Sequence, residues 1–182
     1  MPLEKLKTHK SAGTVHIPAE LIKAGGRTTS SEIHKLTNPV WKKEELPEPQ
    51  KESITVPIYK KGDKPDCSKY RGISLLSTTY KTLSSILLSQ LTSCAEEITG
   101  DHQCGFWCNR STTDHIFCIH HTLKKWKYSE AVHQLFIDFK KAYDSVRQEV
   151  LYNNLIEFRI HMKLIRLIKM CLNEIYSTLW VC

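Results

Sequence analysis

An α+β fold is the expectation, and three patterns carry it. From Thr79 to Glu97 the chain is amphipathic, with Tyr80, Leu83, Leu87 and Leu91 on one helical face. Ile54, Val56 and Ile58 alternate with Thr55, Pro57 and Tyr59, which is the period of a strand. Val132 to Phe139 is a short apolar run that reads as a buried strand, and a second helical pattern follows it.

Taken in order, residues 1–16 are polar and predict a frayed N-terminus. Ala19 to Ala24 is a short helix stopped by Gly25 and Gly26. A second helix is expected from about Ser31 to Lys43, capped by Ser30 or Ser31, with Ile33, Leu36, Val40 and Trp41 on one face. Pro47 and Pro49 then break the chain. The strand through Ile54–Ile58 is expected at a sheet edge, because Pro57 has no N–H for a ladder. Lys60 to Lys64 makes a turn, and Tyr70 to Leu76 returns as the partner strand, giving a hairpin with a basic tip. After the long helix, stopped at Gly100 and Asp101, Thr112 to Tyr128 is helical with Ile116, Ile119, Leu123 and Trp126 inward. Ser145 and Gln148 form a capping box for a helix running to Phe158, in which Val146, Val150, Leu151 and Leu155 pack. The last helix is Leu164 to Ile175, using Ile168, Cys171, Leu172 and Ile175.

Composition bounds the function. At 182 residues, with 41% hydrophobic and 25% charged, the chain is long enough and apolar enough for one domain with its own core. Lys and Arg exceed Asp and Glu by 26 to 19, and the isoelectric point is near 9.0, a balance that favours polyanionic partners. The Lys-rich start resembles no signal peptide, and no run approaches the ~18 apolar residues of a membrane span. Seven cysteines at irregular spacing read as reduced thiols. An intracellular protein of the nucleus or cytoplasm is the expectation.

The stretch from Leu135 to Val146 carries the chemistry. An apolar strand delivers Asp138 to its end, where a turn leads into a capped helix. A carboxylate so placed suits a hard cation that prefers oxygen ligands, although a cap or turn role is the commoner use of such a residue. His102, Cys104, Cys108 and His115 invite comparison with zinc ligands, but their spacing matches no common zinc pattern.

The whole string from Phe136 to Asp144, Phe-Ile-Asp-Phe-Lys-Lys-Ala-Tyr-Asp, resembles the first palm motif of reverse transcriptases, especially those of non-LTR retrotransposons. The resemblance extends upstream in order. Ile17 to Gly25 is similar to the N-terminal extension of that branch. Ile54 to Asp63, followed by Tyr70 to Leu76, is similar to the fingers hairpin. His102 to Asp114 is similar to a template-contacting block ending in Arg-Ser-Thr; Ser111 there also reads as a helix N-cap with Asp114 three residues later.

The resemblance implies the fingers and partial palm of a right-hand polymerase, with residues 17–131 as a fingers-like region holding the hairpin 54–76, and residues 132–182 as the start of the palm. The implied activity is RNA-directed DNA polymerisation on an RNA template and DNA primer, by attack of a 3′-hydroxyl on a dNTP with two Mg²⁺ ions. Asp138 would hold metal and be catalytic. Lys60 or Lys61, with Arg71, would hold the triphosphate, and Tyr143 would gate the sugar by leaving no room for a 2′-hydroxyl. Gln103, Gly105, Phe106 and Arg110 would contact template, and Asp144 would be structural.

The family centre also needs a Tyr-x-Asp-Asp motif, and no such string occurs in the chain. The expectation is a truncated palm that does not polymerise alone, so enzymatic status stays open. The alternatives are a non-catalytic nucleic-acid-binding module and a translated relic without stable function. Smaller departures accompany this: Trp107 and Cys108 replace usual basic residues, Gln50 a usual Trp, and Val15 a usual Asp. Arg159 stands at a turn position suited to glycine.

Overall fold

The structure is a computed structural model describing residues 8–9, 13, 17–100, 103–105, 107, 109–125, 131, 133–139 and 141–180. Helices α1 (Ala19–Ala24), α2 (Gly26–Lys43) and α3 (Glu48–Lys51) lead into strand β1 (Glu52–Tyr59). A 3₁₀ turn (Cys67–Lys69) precedes β2 (Tyr70–Leu75). Then come α4 (Thr78–Ile98), α5 (Thr112–Lys125), α6 (Gln148–Glu157), α7 (Met162–Asn173) and β3 (Tyr176–Leu179). This mixture is the α+β class expected. None of the helices described is long and apolar enough to cross a membrane. The expected fraying of residues 1–16 falls almost wholly outside the described residues.

The chain divides into two compact units, one built from residues up to 92 together with those from 155 onward, the other from residues 93–154. The first unit holds the sheet, of order β2-β1-β3. β1 and β2 pair antiparallel from Ile54↔Leu75 to Tyr59↔Tyr70. β1 and β3 pair parallel from Glu52↔Tyr176 to Thr55↔Leu179. β1 is therefore central, not the edge strand that Pro57 predicted. The proline is tolerated because β3 pairing stops at Thr55, so on that side the strand is already open where Pro57 sits. β3 itself had no sequence signal: four exposed residues, separated from the end of α7 by two residues.

Val40, Leu46, Tyr80, Leu83, Leu87, Ile160, Leu164, Ile165, Leu167, Met170 and Cys171 are buried in this unit, and Ala19, Ile22 and Ile33 form a cluster between α1 and α2. Leu83 and Leu167 are 1% and 0% exposed, and burial of each contributes roughly 1.5–3 kcal/mol. Buried hydroxyls are satisfied locally: Thr82 donates to the Thr78 carbonyl at 2.9 Å and Thr37 to that of Ile33 at 3.0 Å. Glu44, in the left-handed conformation at the end of α2, grips Arg166 of α7 through two bonds of 2.7 and 2.9 Å. Glu174 at the end of α7 accepts from the Leu46 N–H at 3.1 Å and lies 3.7 Å from Lys51.

Several local expectations need correction. α2 starts five residues before Ser31, at Gly26, and keeps Pro39 inside it. Of its expected inward face, Ile33 and Val40 are buried, while Leu36 is exposed and Thr37 is buried instead. α6 begins at Gln148, so the Ser145–Gln148 capping box does not form; the Ser145 hydroxyl donates back to the carbonyls of Lys141 and Ala142 at 3.0 Å. Val146 and Val150 are exposed.

The second unit carries α5. Its start is as expected: the Ser111 N–H donates to Asp114 at 3.0 Å and the Asp114 N–H to the Ser111 hydroxyl at 3.3 Å, a reciprocal cap. Its inward face is not: Ile116, Ile119 and Leu123 are exposed, and Trp126 lies outside the described residues.

Candidate functional site

The basic hairpin is the best-defined part of the candidate site. The ladder continues one step beyond the strands, because the Lys60 N–H donates to the Lys69 carbonyl at 2.9 Å. Side chains alternate across a pleated ribbon, so the cross-strand pairs Tyr59↔Tyr70 and Ile58↔Arg71 point to opposite faces. Lys60 and Lys69 follow on the Arg71 face. Lys60 therefore falls on the same ribbon face as Arg71, across the strand ends. All three basic residues, Lys60, Lys61 and Arg71, are exposed.

The tip is braced from within. Tyr59 and Tyr70 meet with ring centroids 5.5 Å apart, tilted by 57°. The Tyr59 hydroxyl donates to the Gly62 carbonyl. Gly62 has φ +105°, a conformation that side-chain-bearing residues rarely adopt. On the returning side, Asp66 accepts from the Ser68 N–H and hydroxyl, both at 2.8 Å, and lies 3.8 Å from the Lys69 ammonium. Sequence reasoning named the basic residues but missed Tyr59, Tyr70 and Gly62. The signal was available: a ladder closed at Lys60 and Lys69 sets the two tyrosines opposite each other.

Asp138 and Tyr143 lie in the second unit. The segment 133–139 is irregular and exposed, not the buried strand expected over Val132–Phe139; Val132 itself lies outside the described residues. Leu135 is 84% exposed and Phe136 76%. An apolar run becomes a strand only when a partner supplies ladder bonds and side chains to pack on, and none pairs with it among the described residues. After it comes a tight turn, where Lys141 has φ +50° and the Asp144 N–H donates to the Lys141 carbonyl at 2.9 Å. Tyr143 projects from this turn, 78% exposed. Asp144 lies in the same turn.

Asp138 is one exposed carboxylate, and no group of three or more His, Cys, Asp or Glu side chains gathers among the described residues. These residues do not by themselves make a two-metal cage. Of the four residues compared with zinc ligands, His102 and Cys108 lie outside the described residues.

Of the expected template residues, Gln103, Gly105 and Arg110 lie in the irregular segment before α5, and Phe106 is outside the described residues. The Gln103 N–H donates to the Gly100 carbonyl at 3.0 Å. Asp114 at the α5 cap is held below the usual carboxylate range by the backbone N–H of Ser111. Lys60, Lys61 and Arg71 thus sit in the first unit, and Gln103, Gly105, Arg110, Asp138 and Tyr143 in the second.

Comparison with known proteins supplies the family. The profile described as Reverse transcriptase (RNA-dependent DNA polymerase) matches residues 58–180, more than half of the chain and inclusive of Lys60, Lys61, Arg71, Asp138 and Tyr143. The chain is also similar to a Xenopus laevis protein described as Transposon TX1 uncharacterized 149 kDa protein, at 28% identity over 156 residues. That alignment covers 84% of this chain but 12% of the relative, so the chain spans about an eighth of that protein's length. With the profile match over more than half of its length, the chain belongs to the reverse transcriptase (RNA-dependent DNA polymerase) family.

Proposed function

We propose that this chain supplies the fingers hairpin and the first palm segment of an RNA-directed DNA polymerase, and that alone it binds polyphosphate and nucleic acid without synthesising DNA. The observation that carries the reading is the placing of Lys60 and Arg71 on one face of a braced hairpin. A guanidinium fork and an ammonium offer directed and non-directed charge to the same polyanion, which suits a triphosphate that must bind and leave. Divalent metal use is general in the family. Asp138 is the proposed magnesium ligand, Tyr143 the proposed sugar gate, and Gln103, Gly105, Phe106 and Arg110 the proposed template contacts.

Catalysis is not assigned to the chain alone, because no Tyr-x-Asp-Asp string accompanies Asp138 in the sequence. The buried core of the first unit favours a folded binder over a translated relic. Primer extension on a primed RNA template with Mg²⁺ or Mn²⁺ tests the reading. No incorporation by this chain is expected. Template-dependent incorporation that disappears in Asp138→Ala would overturn the inactivity.

A further inference from the structure

Two features of the hairpin have no place in phosphate binding as such: the Tyr59 hydroxyl on the Gly62 carbonyl and the Tyr59–Tyr70 ring pair. Both lie on the ribbon face opposite Lys60 and Arg71. We infer that Tyr59 is a positioning residue for the polyphosphate site: its hydroxyl ties down the Lys60–Lys61–Gly62 turn so that Lys60 stays beside Arg71. The inference rests on the hairpin being that site.

The last ladder bond is Lys60 N–H to Lys69 carbonyl, and ten residues, Lys60 to Lys69, close the loop. A loop of that length samples many conformations unless its backbone polar groups are held. Asp66 holds the returning limb, through Ser68 and the Lys69 ammonium. On the outgoing limb the Asp63 carbonyl accepts from the Asp66 N–H at 3.2 Å, and the Tyr59 hydroxyl reaches three residues forward to Gly62. Gly62 can take up φ +105° to present that carbonyl, and a Cβ there would also come within 3.2 Å of the Lys69 Cε. The ring of Tyr59 is anchored in turn by Tyr70, the residue before Arg71. One side chain therefore links the turn carrying Lys60 and Lys61 to the strand carrying Arg71. Without the hydroxyl the charges remain, but the turn must be ordered by the ligand, and that ordering weakens binding.

The test uses the full chain and inorganic tripolyphosphate as probe, with affinity measured by calorimetry. Tyr59→Phe keeps the ring and removes only the hydroxyl. Binding is expected to weaken about three- to tenfold in this variant, on the order of one hydrogen bond, with the thermal midpoint of the chain unchanged. Tyr59→Leu is expected to weaken it further, and reintroducing tyrosine at that position restores it. The Lys60→Ala, Lys61→Ala, Arg71→Ala triple variant separates the two claims. If the triple variant loses binding and Tyr59→Phe binds like the parent, the positioning role is wrong and the site reading stands. If the triple variant binds like the parent, the site reading fails and the positioning role with it.

Discussion

Tyr80 on α4 donates its hydroxyl to the carbonyl oxygen of Cys171 on α7, at 3.1 Å. Cys171 lies in the last turn of α7, where carbonyls lack helical partners. A side chain from α4 thus satisfies a helix end that packing has removed from water. Burial raises the tyrosine pKa well above its ordinary value and keeps the hydroxyl a donor. Burial also pushes the Cys171 thiol up to about 11, which leaves it a protonated packing group.

Tyr80→Phe is therefore expected to destabilise the first unit by about 1–2 kcal/mol, the cost of leaving a buried carbonyl unsatisfied. A urea titration checks it. The midpoint should fall with an unchanged slope; an unchanged midpoint would show that the bond contributes nothing.

Arg159 occupies a turn position suited to glycine, with φ +57°. The Ile160 N–H donates to the Leu155 carbonyl at 3.0 Å and the Arg159 N–H to that of Ile156 at 2.9 Å, the bond pair of a Schellman helix end. In that motif the left-handed residue is usually glycine. Arg159→Gly should stabilise the chain by about 0.5–1 kcal/mol, since relief of the left-handed conformation exceeds the added backbone entropy. Arg159→Ala should give no such gain. A lower thermal midpoint for the glycine variant would contradict this.

The α5 cap predicts an acid response. Asp114 has its pKa lowered in the folded chain by the Ser111 N–H, so its contribution is fully present above the unfolded value of 3.8. It is lost as pH falls below 3.8 through the lowered folded value. The first turn of α5 should fray in that window, visible in the Cα chemical shifts of Thr112, Thr113 and Asp114. In Asp114→Asn the shifts should lose that pH dependence. Identical acid profiles for both chains would remove the carboxylate from the cap.

Legibility in the sequence followed how local each signal was. α1, the β1–β2 hairpin, α4 and the Ser111–Asp114 cap depend on residues close in sequence, and all were readable. The place of β1 in the middle of the sheet was not, because it depends on β3, a four-residue strand more than a hundred positions away. The segment 133–139 misled for a related reason. Its apolar pattern specifies what it would bury against a partner, and the described residues supply none. The same holds for Ile116, Ile119 and Leu123 on α5. For the site, Lys60 and Arg71 were legible as charge, whereas Tyr59 and Gly62 needed the register of the turn.

The central claim is that the hairpin tip carrying Lys60 and Lys61, with Arg71 on its returning strand, holds phosphates. Its most direct measurement is the salt dependence of binding to a primed RNA template, compared between the parent chain and the triple alanine variant. With about three phosphate contacts, log K for the parent should fall against log salt with a slope near −3, and the slope should move toward zero in the variant. A parent slope close to zero, or an affinity and slope untouched by the triple substitution, would contradict the claim.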